Sequence, residues 1–428
     1  MSSPIHLGID FGTSNSVVSI VTPDGQTKTL TLPVGRETCR TVLCLWQEQL
    51  RGKLVLHDAI GDDAIEAYLD DPAESRLILS MKSYLAQASF RETRLLGHRL
   101  TLEALIATFL RRLMDGFGFD PAHAHATVGR PVRFAGERAD DDLGAERLQA
   151  SLAEAGFSGT ALAYEPEAAG QRFARRLERP AVVLVGDFGG GTSDFSVLRF
   201  DPAAEPRARP LGHAGVGIAG DQLDYRILTN VIAPHLGMHE TYRVMGGAPL
   251  PVPVEWYADL GRWHRLSLMR NPQTLRAIAD VARTATHPEK LRHLIRLIED
   301  QQAHALYGAV ARAKAALSRD TETTLRFCHA GLEIEETITR DAFEGWIAPD
   351  LARFATAIDD ALASAGCAAA DIDRVFLTGG TSFVPSVRAL FSQRFSADRI
   401  DTGGEFVSVA EGLALIGAER AAVQLPST

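Results

Sequence analysis

Apolar positions along the chain alternate between short continuous runs and a helical period. IHLGID (5–10) is an apolar run closed by an aspartate, and NSVVSIV (15–21) is a second run beyond a Gly-Thr-Ser turn; both predict strands. Shorter β-rich pieces follow at 28–32, 41–46 and 53–56. The period lengthens at 60–69 and again in TLEALIATFLRRLMDGF. There Leu102, Leu105, Ile106, Phe109, Leu110 and Leu113 share one face, and Thr101 stands at the N-cap position. A strand at 125–129 and a helix at 143–155 lead into ALAYEPEAAGQRFARRL. Alternation of this kind predicts α/β layers.

From Pro180 the pattern begins again. AVVLVGDFGGGTSDFSVLRF can be laid over IHLGIDFGTSNSVVSIV: an apolar strand ending in aspartate, then Phe-Gly, a hydroxyl-bearing turn and a second strand. Two copies in one chain predict a duplicated domain. Residues 231–316 are mostly helical and read as an insertion. Strands return at 323–327 and 332–337, a helix is expected over 341–365, and DRVFLTGGTSFVPSVRALF supplies a third strand, glycine turn and helix. A closing helix is expected over 407–419.

The 428 residues, 46% hydrophobic and 23% charged, suit two or three globular units. A net charge of −10 argues against a nucleic-acid partner, whose phosphates would need Lys and Arg; Arg111 and Arg112 read as a solvated helix face. Cys39, Cys44, Cys328 and Cys367 form no C-x-x-C pair and no zinc spacing, so they are expected as free thiols in a reducing compartment. His123, His125, His287, His293 and His304 have no convincing ligand spacing. The N-terminus lacks a basic, then apolar leader and no stretch reaches the roughly 18 apolar residues of a membrane span, which predicts a cytoplasmic protein without membrane contact.

The glycine turns carry the chemistry. A strand ending in aspartate before Gly and Thr or Ser sets one carboxylate at the mouth of a turn whose N–H groups and hydroxyls can bind phosphate oxygens. Glycine lets the backbone approach the phosphate. If the duplicated halves face each other, Asp10 and Asp187 meet across one cleft, and two carboxylates there suit magnesium shared with phosphates and water. The letters DFG also mark protein kinases, but H-R-D-x-x-x-x-N and V-A-I-K motifs are missing, as is a P-loop. G-x-G-x-x-G at 215–220 lacks the strand and acidic residue of a dinucleotide site.

These residues resemble the DnaK-type heat-shock chaperone family of the actin-like ATPase superfamily. GIDFGTSNS resembles its first phosphate loop, GDFGGGTSDFSV its second, FLTGGTSFVP its adenosine loop, LAYEPEAAG its connecting motif and GIAGDQLD the following phosphate-side turn; ARAKAALS and ITRDAFE resemble helical landmarks. The likeness covers nearly the whole chain and looks closest to the YegD-like branch. It implies an actin-like, ribonuclease H-like α/β fold of two duplicated lobes around a nucleotide cleft. Lobe I would comprise 1–180 completed by 401–428, and lobe II 181–400 with a helical insertion at 231–322. It further implies ATP or ADP with magnesium as cofactors, Asp10 and Asp187 holding the metal mostly through water. Gly12, Thr13, Ser14, Asn15, Gly189, Gly190, Gly191 and Thr192 would cradle phosphates. Lys82 would orient the attacking water, with Glu165, Asp187, Thr192 and Asp194 in the surrounding network. Gly220, Asp221, Gly379, Gly380 and Thr381 would border the nucleotide, with Lys314 and Ser318 near ribose and base. Each has a plainer counterpart: a lone glycine turn is a hairpin, a single lysine a solvated surface group, and Glu165 a helix N-terminal acid.

The likeness breaks at Ala311 and Ala315, where the family carries a glutamate and an arginine for the adenosine, at Phe383 in place of a stacking arginine, and at Phe406 after Glu405. The Phe383 ring still offers a face to a base. No peptide-binding domain is expected after GAERAAVQLPST. The expected function is a slow ATPase acting as a nucleotide-dependent conformational switch, with a protein partner on the insertion around Trp256 and Trp263. A small-molecule kinase and a non-hydrolysing nucleotide-binding or filament-forming protein are the alternatives.

Overall fold

The structure is a computed structural model that describes residues 5–50, 53–71, 74–135, 139–174, 178–204, 208–244, 247–260, 269–300, 302–402 and 408–424. Trp263, Glu405 and Phe406 lie outside the described residues. The chain forms two compact units. The first draws on residues up to Gly220, on Ala352–Phe383 and on Val387 onward; the second on Asp221–Leu351 with Val384–Ser386.

The first unit contains two sheets built to one plan. In chain order, β1 (Ile5–Phe11), β2 (Asn15–Val21) and β3 (Thr27–Thr29) form an antiparallel meander, with the short β4 (Thr38–Arg40) also on β2. Later in the chain β10 (Ala124–Arg130) and β11 (Gly159–Tyr164) add in parallel beside β1, giving the order β11-β10-β1-β2-β3. The second sheet repeats this. Strands β12 (Ala181–Phe188), β13 (Ser193–Phe200) and β14 (Ala208–Val216) are antiparallel, and β19 (Arg374–Thr378) and β20 (Ile400–Thr402) add in parallel beside β12, giving β14-β13-β12-β19-β20. The duplication read from the two DFG segments therefore extends to strand order and direction. The remaining strands of this unit form a small sheet, with β5 (Val42–Leu50) between β6 (Lys53–Ile60) and β7 (Ser75–Leu79), and a hairpin of β8 (Glu92–Leu95) and β9 (His98–Thr101).

The helices match as well. After α1 (Gly61–Asp70), α2 (Leu102–Phe117) precedes β10, α3 (Asp141–Ala155) joins β10 to β11, and α4 (Glu165–Ala174) follows β11. Thr101 caps α2, its hydroxyl accepting from Ala104 N at 3.1 Å, and Gly118 at φ 75° ends it. All six residues of the predicted apolar face are buried. In the second repeat α10 (Arg340–Ala365), α11 (Pro385–Ser392) and α12 (Ser408–Gln424) occupy the corresponding places, preceding β19, joining β19 to β20 and following β20.

The last helix of each repeat crosses to the other sheet: α4 packs on β12 and β13, and α12 on β1 and β2, with α4 and α12 against each other. Small residues make this approach possible. A Cβ on Gly8 of β1 would lie 2.1 Å from Ala410 O, and one on Gly412 of α12 would lie 1.7 Å from Ala168 O of α4. The exchange ties both sheets into one core, where Val183, Leu198 and Phe376 of the second sheet meet Ala168, Leu413 and Ile416.

The second unit begins in α5 (Gly220–Ile227) and includes the hairpin of β15 (Thr241–Tyr242) and β16 (Leu250–Pro251). Next come α6 (Glu255–Leu260), α7 (Pro272–Ala282), α8 (Pro288–Glu299), α9 (Ala303–Leu317) and the hairpin of β17 (Glu322–His329) and β18 (Leu332–Thr339). Trp256 is buried within it. Among the described residues no helix is long and apolar enough to cross a membrane.

Candidate functional site

The two aspartate turns share one hydrogen-bond register. In the first, Asp10 pairs with Val17 and Phe11 with Ser16, and Gly12 N donates to Asn15 O at 3.1 Å, leaving Thr13 and Ser14 at the tip. In the second, Asp187 pairs with Asp194 and Phe188 with Ser193, and Gly189 N donates to Thr192 O at 2.9 Å, leaving Gly190 and Gly191 at the tip. Asp10 and Asp187 thus occupy equivalent positions. Gly12 is required by its own turn, because a Cβ there would lie 2.3 Å from Asn15 O.

The tips face each other within the first unit. A Cβ on Gly191 would lie 3.3 Å from Thr13 Oγ1 and 3.7 Å from Ser83 Oγ. The third glycine turn closes on the same strand end: Thr378 pairs with Asp187, and Gly379, at φ 86°, passes so near that a Cβ would lie 1.9 Å from Phe188 O. No L side chain fits that space or that backbone. Gly380–Phe383 then forms a 3-10 turn with Thr381 buried and Ser382 Oγ donating to Gly379 O at 2.6 Å. Gly220 is joined to the second tip, its N–H donating to Gly189 O at 3.3 Å.

Four carboxylates and one lysine gather beneath these turns. Lys82 lies in a 3-10 turn (Met81–Tyr84) that follows β7, and Glu165 is the first residue of α4; Lys82 Nζ donates to Glu165 Oε1, with both side chains 8% exposed. Gly129 at the end of β10 makes room for Glu165, whose Cγ would stand 2.8 Å from a Cβ there. Asp194 Oδ1 accepts from Val132 N at 2.8 Å and from Arg133 N at 3.2 Å, and its carboxylate is also bonded by the Thr192 side chain.

Burial and mutual repulsion govern their protonation. Loss of hydration, then the Glu165 charge, pushes Asp10 up to about 7 against the partial relief of Lys82. Asp194 is likewise raised to about 7 by burial and Glu165, opposed by its hydrogen bonds. Asp187 is driven well above the usual range by burial and by Glu165, Asp10 and Asp194 together. Burial works against the charge of Lys82, yet the surrounding carboxylates, Glu165 foremost, hold it above its ordinary value. This site has more negative charge than one lysine balances, which is the electrostatic setting of a bound cation.

Asp221, Lys314 and Ser318 belong to the second unit. There Lys314 Nζ pairs with Asp224 Oδ2 at 2.8 Å, Ser318 Oγ donates to Lys314 O at 3.3 Å, and burial with the Asp224 charge raises Asp221 to about 7. Ala311 and Ala315 are exposed on the same helix, α9. Phe383 is 37% exposed and carries the Arg388 guanidinium 5.4 Å from its ring centre.

Three contributors escaped the sequence reading. Ser83 borders the second tip, its Oγ 3.7 Å from the Cβ position of Gly191. Arg147 of α3 donates to the carbonyls of Leu85 at 3.2 Å and Gln87 at 3.1 Å, anchoring the segment after Lys82. Gly215 leaves space for Asp194, since a Cβ there would lie 2.5 Å from Asp194 Oδ1. Only Gly215 left a trace, in the unexplained G-x-G-x-x-G run; Ser83 and Arg147 are ordinary residue types in ordinary helical contexts.

The chain is similar to known proteins over most of its length. The family described as Hsp70 protein matches residues 282–422. The chaperone protein DnaK of Deinococcus deserti is 23% identical over 429 residues, covering 97% of this chain and 59% of that protein. The stromal 70 kDa heat shock-related protein, chloroplastic, of Pisum sativum is 23% identical over 408 residues, 92% of this chain and 50% of its own. The DnaK of Deinococcus radiodurans is 23% identical over 437 residues, with shares of 97% and 59%. The chain therefore spans between 50% and 59% of the length of these relatives. The Hsp70 match implies the actin-like ATPase fold, in keeping with the mixed α/β architecture. Residues 282–422 thus match the Hsp70 family, and nearly the full length of the chain is similar, at low identity, to DnaK chaperones.

Proposed function

We propose that this protein binds magnesium with ATP or ADP and hydrolyses ATP slowly, acting as a nucleotide-dependent conformational switch like the nucleotide-binding part of DnaK. The observation that carries the reading is the meeting of the Thr13 and Gly191 tips above Asp10, Asp187 and the Lys82–Glu165 pair. In this reading Asp10 and Asp187 hold the metal through water. Among the described residues no three or more His, Cys, Asp or Glu side chains form a metal cage; the two carboxylates suit magnesium, which completes its shell with water and phosphate.

The backbone and hydroxyls of 12–15 and 189–192 take the phosphates. Lys82 orients water against the terminal phosphate, with Glu165, Thr192 and Asp194 holding the network, so that catalysis is positioning and charge stabilisation. Gly220, Asp221, Gly379, Gly380, Thr381 and Phe383 border the nucleotide, and Lys314 and Ser318 serve the nucleoside end. The two halves of the repeat, 1–180 with 401–428 and 181–400, are the lobes whose balance the nucleotide shifts. A partner that reads this balance docks on 231–322, where Val244, Leu250 and Val254 are exposed.

The test is phosphate release from magnesium and ATP by the wild type, Lys82→Ala and Asp187→Ala. Release by the wild type that both substitutions suppress supports the ATPase. Release only with an added phosphoryl acceptor moves the assignment to a small-molecule kinase, and tight binding without release to a non-hydrolysing protein.

A further inference from the structure

We propose that Ser83 is a phosphate ligand, its hydroxyl donating to the terminal phosphoryl group of a bound nucleoside triphosphate; this role rests on the nucleotide reading given above. The Cβ position of Gly191 lies 3.3 Å from Thr13 Oγ1 and 3.7 Å from Ser83 Oγ, so both hydroxyls stand against the glycine tip. Two hydroxyls from separate elements thus converge on a tip of successive glycines, a combination suited to an anionic oxygen.

Ser83 is held firmly by its backbone while its side chain remains uncommitted. Its N–H donates to Ser80 O at 2.9 Å, and its carbonyl accepts from Gln87 Nε2 at 2.8 Å. Ser80, at φ 51°, fixes the left-handed bend by which β7 enters the turn, and Arg147 secures the carbonyls of Leu85 and Gln87 beyond it. Among the described residues the Ser83 hydroxyl hydrogen-bonds to no neighbour, and the residue is half-buried. A rigid backbone with an open donor is the arrangement of a preorganised ligand contact.

Its sequence neighbour decides which phosphate. Lys82, assigned above to the attacking water, stands next to Ser83 in the same short turn and pairs with Glu165, which assigns Ser83 to the terminal phosphate. A donor there meets the outermost phosphoryl oxygens and leaves the inner phosphates to the hairpin backbones.

The experiment compares equilibrium binding of magnesium with ADP and magnesium with a non-hydrolysable ATP analogue to the wild type, Ser83→Ala and Ser83→Thr, each checked for an unchanged unfolding midpoint. Loss of one charge-assisted hydrogen bond should weaken the triphosphate analogue about tenfold in Ser83→Ala and leave ADP unaltered. Ser83→Thr, which keeps the hydroxyl, should restore most of the difference. If Ser83→Ala proves unfolded, Ser83→Cys replaces it, with a weaker donor and the same selective loss expected. Equal weakening of both ligands, or of neither, overturns the role of Ser83 while leaving nucleotide binding intact. A wild type that binds neither ligand removes the nucleotide reading and this role with it.

Discussion

Lys82 donates to Glu165 across 83 residues of sequence, and the pair is shut away from water. Removing one partner from such a pair leaves a buried charge with nothing opposite, which costs about 3–5 kcal/mol. Lys82→Ala should therefore lower stability by about that amount, measured by denaturant unfolding, as well as suppress phosphate release. The double variant Lys82→Ala with Glu165→Gln should recover much of the stability and none of the activity. Equal stability of the single and double variants would show that the pair contributes no mutual compensation.

Gly215 gives a second handle on the site. The Cβ of Gly215→Ala would press on Asp194 Oδ1, which is held by the Val132 and Arg133 N–H groups. Overpacking of this kind costs about 1–3 kcal/mol. The expected result is a folded protein of lower unfolding midpoint whose phosphate release falls more than its nucleotide affinity. Unchanged release would mean that the placement of Asp194 does not matter to turnover.

Protonation of the cluster makes stability depend on pH. Asp10 and Asp194, ordinarily near 3.8, titrate at about 7 in the folded protein, and Asp187 is raised too. Between about pH 4 and 7 the folded state keeps protons that the unfolded chain has already lost, so these groups reduce stability as pH rises through that window. Magnesium bound between these carboxylates would favour the ionised forms and reverse the penalty. Tm measured from pH 5 to 8 without nucleotide should carry this falling contribution, which Asp194→Asn diminishes, while the rise in Tm on adding magnesium and ADP should grow as pH passes 7. A nucleotide-induced rise that shrinks with pH would contradict the charge assignment.

The repeat was legible because its signal is local and occurs twice. An apolar strand, an aspartate and a glycine turn are contiguous at 5–21 and again at 181–200, and the structure extends the likeness to strand order in both sheets. Helix α2 was legible from Thr101 and its apolar face. Less legible were β7, whose apolar run is only Leu77–Leu79, the β8–β9 hairpin, which lacks a continuous apolar run, and the strand expected at 28–32, which pairs only over Thr27–Thr29. Ser83, Arg147 and Gly129 act through space on residues distant in sequence, so no periodicity marks them. The crossing of α4 and α12 depends on Gly8 and Gly412, two small residues whose meaning appears only when the helix backbones arrive.

Arg147 should act on turnover without touching nucleotide. It is 9% exposed, pairs with Glu103 at 3.2 Å and holds the carbonyls after the Lys82 turn. Arg147→Lys keeps the charge and loses the forked geometry. A several-fold fall in kcat with KM nearly constant is expected. A change confined to KM would place the effect on binding and exclude a positioning role for Arg147.

The most direct test locates the metal. Crystals grown with manganese in place of magnesium and a non-hydrolysable ATP analogue would show the ion by its anomalous scattering. A single strong peak between the Asp10 and Asp187 carboxylates, with phosphates against residues 12–15 and 189–192, is the predicted result. An ordered nucleotide whose ion lies away from both carboxylates, or whose phosphates avoid both hairpin tips, would contradict it.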